Sequence, residues 1–139
     1  MTIQDIMTAT LERIETGATL SEAAMLMDKH DVGCLAVVQD GDVVGTTTDR
    51  DIVIRALAAE KDPETTSVRE AMTTDPVFCH KEDTVETVAE RMREQRIRRL
   101  IVEDENGIPV GMISVGDIAA RAHGTEMTGT VLKDLCSTP

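Results

Sequence analysis

Thr48 and Asp51 stand three positions apart, and so do Ser114 and Asp117. Each pair closes a Gly-led, strand-like run. One reads Gly45-Thr46-Thr47-Thr48-Asp49-Arg50-Asp51-Ile52, the other Gly111-Met112-Ile113-Ser114-Val115-Gly116-Asp117-Ile118. A hydroxyl where a strand gives way to a helix lies among bare N–H groups at the positive end of the helix dipole, a setting that favours phosphate. A carboxylate one turn further in can accept two hydrogen bonds from a sugar diol. Those are the parts of a nucleotide pocket, with Thr48, Asp51, Ser114 and Asp117 as ligand-binding residues. S/T-x-x-D also has the form of a capping box, in which hydroxyl and carboxylate tie up the first helical turn. Duplication at matching places favours the pocket; the cap stays open as the alternative.

Cations near these phrases are the next candidates. Arg50 lies inside the first phrase. Arg96, Arg98 and Arg99 crowd the start of a strand in the second copy, where the first has Asp31, Gly33 and Cys34. Guanidinium groups suit phosphate, and equally they pair with surface carboxylates to little effect. Arg98 and Arg99 alternate faces, so no more than one of the two enters a given cleft. His30, His80 and His123 form no i, i+4 pair with one another, and no P-loop or GxGxxG is present. No nucleophile–base pair can be assembled. The residues therefore predict no catalytic residue, no metal and no required cofactor; a small enzyme using the paired aspartates is the least favoured alternative.

The elements that must position these residues also come in duplicate. Ile3-Gln4-Asp5-Ile6-Met7-Thr8 is matched by Val68-Arg69-Glu70-Ala71-Met72-Thr73, 65 residues on. Such a period marks one supersecondary unit used twice. Thr19-Leu20-Ser21-Glu22 has capping-box form, followed by Leu20, Ala23, Ala24 and Met27 at helical spacing. Val85, Val88, Ala89 and Met92 repeat that stripe. Strand-like runs Cys34 to Val38 and Leu100 to Val102 end in the turns Asp40-Gly41-Asp42 and Asp104-Glu105-Asn106-Gly107, which predict hairpins. The returning strands are Val43 to Thr47 and Val110 to Ile113. Helices follow from about Asp49 to Ala59 and from about Val115 to His123. Short strands, Leu11 to Ile14 and Val77 to Cys79, precede the first helix of each copy. The expected division is repeat one at 1–60, a linker at 61–67, repeat two at 68–124 and a tail at 125–139.

Composition narrows the classes. A chain of 139 residues is most simply one domain with a real core. That core is aliphatic, because Phe78 is the only aromatic residue. A net charge of −12 opposes nucleic acid and anionic membranes. Only four bases are Lys, so an acidic, Lys-poor surface suited to high salt is one reading and a merely acidic protein another. Cys34, Cys79 and Cys136 form no CxxC pair, and no leader or membrane-length apolar run appears, so a cytoplasmic location is expected. One asymmetry stands out. Met25 and Leu26 lie off the first helix's stripe where the second copy has Glu90 and Arg91, and Ile54 stands against Ala120. Extra apolar residues on one helix of a pair point to a contact beyond its own core, here a homodimer interface; a wider core stripe is the alternative.

The duplicated pattern resembles a tandem pair of CBS domains, the Bateman module, over residues 1 to about 123. It is carried by Asp5-Ile6-Met7-Thr8 with Glu70-Ala71-Met72-Thr73, Val32-Gly33-Cys34-Leu35-Ala36-Val37-Val38 with Ile97-Arg98-Arg99-Leu100-Ile101-Val102, and the two Gly…T/S-x-x-D phrases. The resemblance implies an α+β fold of two pseudo-twofold-related strand-helix-strand-strand-helix repeats. It implies a regulatory ligand, AMP, ADP, ATP or S-adenosylmethionine, bound between the repeats. Asp51 and Asp117 would hold ribose hydroxyls, with Thr48 and Ser114 near the phosphates. It also implies dimers formed through helices and, with no attached domain in this sequence, a stand-alone sensor or adaptor acting on an unknown protein partner. A ligand-free interaction module is the alternative. Many members carry a proline in the middle strand where this chain has Ala36 and Ile101, a departure that bears on pocket shape and ligand identity.

Overall fold

The computed structural model of the protein describes residues 1–122. The expected tail at 125–139, with Cys136 and His123, lies outside the described residues. The elements run α1 (Ile3–Ile6), β1 (Arg13–Glu15), α2 (Leu20–His30), β2 (Cys34–Gln39), β3 (Asp42–Thr48) and α3 (Asp49–Ile52), which continues as a π-helix (Val53–Leu57). Then follow α4 (Val68–Ala71), β4 (Thr73–Thr74), β5 (Phe78–His80), α5 (Val85–Gln95), β6 (Arg99–Glu103), β7 (Pro109–Ser114) and α6 (Val115–Arg121).

The chain divides into two compact units, and they are not cut where the sequence repeats are. One unit is Glu12–Pro76; the other joins Met1–Leu11 to the chain from Val77 onward. The opening segment of each repeat therefore folds into the other repeat's unit. In the first unit the sheet order is β1-β2-β3-β4, with β1–β2 parallel across the α2 crossover and the remaining pairs antiparallel. In the second unit it is β5-β6-β7, with the same parallel and antiparallel pairings. There Thr8 bridges Met112, the counterpart of the Thr46–Thr73 pairing in the first.

Local signals built most of this. Thr19 caps α2 by accepting from the Glu22 N–H at 3.2 Å, while Glu22 accepts from the Thr19 N–H at 2.9 Å. Asp40 and Gly41 both take positive φ, 52° and 85°, as a tight hairpin turn demands. The stripe of α5 is buried in full, at Val85, Val88, Ala89 and Met92. On α2 the buried residues are Leu20, Ala23 and Met27; Ala24 is exposed, and Leu26 packs against the core instead. The first strand begins two residues later than the apolar pattern suggests.

Each unit has its own aliphatic core. Leu20, Ala23, Leu35, Val37 and Ala56 are joined by Val68 and Ala71 of the incoming segment. Val85, Val88, Met92, Leu100, Ile113 and Ile118 are joined by Ile3 and Ile6. Backbone bonds sew these segments in: Ile3 N–H to Asp83 O at 2.9 Å, and Val68 N–H to Ala18 O at 2.7 Å. Two further differences appear in the helix after the corner and in the core. Val53–Leu57 is π-helical, with Ala58 N–H bonding Val53 O at 2.8 Å, whereas α6 is regular. Thr47 is fully buried where the other unit has Ile113, and its hydroxyl has no hydrogen-bond partner.

Candidate functional site

Both T/S-x-x-D phrases form the same corner. Thr48 is extended (φ −116°, ψ 164°) and caps α3; its hydroxyl accepts from the Asp51 N–H at 3.1 Å, and Asp51 Oδ2 accepts from the Thr48 N–H at 3.0 Å. Ser114 and Asp117 reproduce this at 3.1 and 3.0 Å. The capping alternative is thus realised in both copies. It does not use up the carboxylates, since an ionised carboxyl offers about four acceptor sites and the cap takes one. Both aspartates are half-buried at the strand–helix junction. In the first unit Asp51 Oδ1 faces Arg55 Nε at 3.9 Å.

The corners share a backbone and differ in charge. Asp49 N–H bonds Gly33 O at 3.1 Å and Thr48 pairs with Cys34, while Val115 N–H bonds Arg98 O at 3.0 Å and Ser114 pairs with Arg99. Arg98 and Arg99 are therefore beside Ser114, exposed, in the same unit as Asp117. Arg50 is exposed on the first turn of α3, its N–H bonded to Asp49 Oδ1 at 2.8 Å. Of the residues expected at a dimer contact, Met25 and Ile54 are exposed, 64% and 53%, and Leu26 is half-buried against the core. Val53 and Leu57 add to the exposed apolar surface of the first unit. The places matching Met25, Leu26, Val53 and Ile54 hold Glu90, Arg91, Ala119 and Ala120.

Other chemistry involves different residues. A shallow open groove of about 520 Å³ along α5 is lined by Glu86, Thr87, Glu90, Arg91, Glu94 and Gln95 and shares no residue with either corner. Cys79 is buried, which pushes its thiol up to about 12, with Asp83 adding to the shift; at that value it is no nucleophile near neutral pH. Among the described residues no three His, Cys, Asp or Glu side chains gather as a metal site would require. No helix there is long and apolar enough to cross a membrane.

Two features escaped the sequence reading. A Cβ on Gly45 would come within 2.5 Å of the Thr73 carbonyl oxygen, and one on Gly111 would collide with that of Thr8. The glycine of each phrase is therefore required by the incoming segment that crosses it. Arg55 and Arg121, 66 residues apart, grip the ends of those same segments: Arg55 Nη1 donates to Met72 O at 2.8 Å, and Arg121 Nη1 to Ile6 O at 3.2 Å. Their recurrence is visible in the sequence, but their targets are not.

The duplicated unit and its corners define a class, and comparison with known proteins agrees. The CBS domain family matches residues 3–57 and 68–124. The chain belongs to that family and carries two CBS domains in tandem. It is 35% identical over 133 residues to the CBS domain-containing protein YhcV of Bacillus subtilis (strain 168), covering 96% of this chain and 94% of that one. A hexameric CBS-CP12 protein from bloom-forming cyanobacteria superposes with a TM-score of 0.81 at 33% identity, covering 91% of this chain and 74% of that one. The CBS domain pair of protein MJ0100, solved in complex with 5′-methylthioadenosine and S-adenosyl-L-methionine, superposes at 0.74 with 28% identity, covering 86% and 93%.

Proposed function

We propose that the protein is a non-enzymatic regulatory module that binds an adenosine compound and reports its occupancy to a partner protein in the cytoplasm. The observation that carries this is the duplicated corner, in which a half-buried aspartate is held by its cap with acceptor capacity to spare. Asp51 and Asp117 accept the ribose hydroxyls, and Thr48 and Ser114 lie near the phosphate or sulfonium end. Arg50, with Arg98 or Arg99, supplies cations for AMP, ADP or ATP; the adenosyl ligands of the MJ0100 domain pair support S-adenosylmethionine, whose sulfonium tail carries no phosphate, as the other candidate. The complete capping boxes favour a second reading, an interaction module that needs no ligand.

A thermal-shift series with AMP, ADP, ATP and S-adenosylmethionine separates the two. A ligand at a hundred times its Kd stabilises by about 2.7 kcal/mol. Asp51→Ala and Asp117→Ala each remove charge-assisted bonds, so affinity measured by calorimetry should fall about ten- to a hundredfold per occupied site. Wild-type affinity in both variants, with folding confirmed by circular dichroism, would reduce the carboxylates to caps. The module also acts as a homodimer through the exposed apolar side chains of the first unit, Met25 and Ile54, with Leu26 supporting them from below.

A further inference from the structure

Arg55 stands between the proposed ligand corner and the segment that enters from the other repeat. Its Nε lies 3.9 Å from Asp51 Oδ1, and its Nη1 donates to Met72 O at 2.8 Å and approaches Ala71 O at 3.5 Å. Those carbonyls end α4, where no intrahelical N–H remains to satisfy them, so a guanidinium there is well placed. The next residue, Thr73, begins β4 and pairs with Thr46 across the glycine that admits it. Asp51, Arg55 and the Met72 carbonyl thus form one chain of contacts from the corner to the β3–β4 edge. It runs through the π-helical turn, which carries Arg55, and π turns inside helices frequently sit at functional places. The Asp51 side chain is only 16% exposed, so its charge is poorly screened at this point.

We propose that Arg55 is a positioning residue that couples the state of Asp51 to the incoming segment Val68–Thr74. A group that engages the Asp51 carboxylate draws charge from Arg55 and loosens its hold on α4; a looser α4 in turn alters what Asp51 can accept, because such coupling is reciprocal. The functional sense of this rests on the reading that Asp51 receives a ribose diol. The physical coupling does not.

Amide hydrogen exchange on the full chain tests it without ligand first. Asp51→Asn should speed exchange in the Thr73–Thr74 pairing by about twofold, the scale of one i,i+4 ion pair. Arg55→Gln should do the same, and the double variant should add nothing further; Arg55→Lys, which keeps the charge but not the fork, serves if the Gln variant folds poorly. Unchanged exchange in Asp51→Asn, or additive effects in the double variant, would overturn the coupling. With AMP and then S-adenosylmethionine added, wild type should show the change at Thr73–Thr74 and Arg55→Gln should not. Binding without any change there overturns the coupling while the ribose reading stands. Failure of both probes to bind removes the ribose reading, and the ligand-free comparison still decides the coupling.

Discussion

A hydroxyl sealed inside an aliphatic core is costly, because the group gives up water and receives nothing in exchange. Thr47 is in that position, and Ile113 shows what the other unit places there. Thr47→Val keeps the shape and removes the orphan group, so it should stabilise by about 1–3 kcal/mol. Urea denaturation checks this as a higher midpoint with unchanged slope; a lower midpoint would mean that the hydroxyl is satisfied in solution. The T/S-x-x-D residues were legible from residue type and spacing, because a cap is a contact among near neighbours. Thr47 was not, since nothing in a run of three threonines says which one faces a core.

At the scale of elements, the decisive contact is the crossing of each incoming segment over a glycine. Gly45→Ala forces a methyl group toward the Thr73 carbonyl oxygen, and backbone cannot yield as a flexible side chain does. Overpacking of this kind costs typically about 1–3 kcal/mol. The variant should lose that much in chemical denaturation, and Gly111→Ala should lose a similar amount through Thr8. Gly17, with nothing within 4 Å of its added Cβ, is the matched control and should tolerate alanine. Equal losses at Gly17 and Gly45 would show that the cost does not come from the crossing, since backbone entropy alone makes Gly→Ala stabilising at such a position. The helices and hairpins around these glycines were readable from periodicity and turn residues; the short helices α1 and α4 were not, because four residues make no periodic signal.

For the molecule as a whole, the large apolar side chains exposed among the described residues are distributed unequally. Met25, Val53, Ile54 and Leu57 are exposed in the first unit, where the second has Glu90, Ala119 and Ala120 among its counterparts. Fully burying such side chains contributes about 1.5–3 kcal/mol each, before association costs. A twofold dimer uses each patch twice, so small changes per chain are doubled. Met25→Glu combined with Ile54→Glu alters two exposed positions and should leave the fold intact by circular dichroism. Light scattering should show the mass shift toward the monomer. A variant that stays fully dimeric at low micromolar concentration would place the interface elsewhere, and a wild type found as a higher assembly would make this face one of several.

The sequence by itself determined the duplication, the longer strands and helices within each copy with their caps and turns, and the two carboxylate corners. All of these rest on contacts between residues close in the chain, or on periodicities of two and 3.6 that a single segment displays. Only the tertiary structure decided where the opening segments fold, what Arg55 and Arg121 hold, why Gly45 and Gly111 must be glycine, and that the helix after Asp51 widens into a π turn. Those features join residues such as Arg121 and Ile6, far apart in the chain, and no local pattern encodes a partner at that distance.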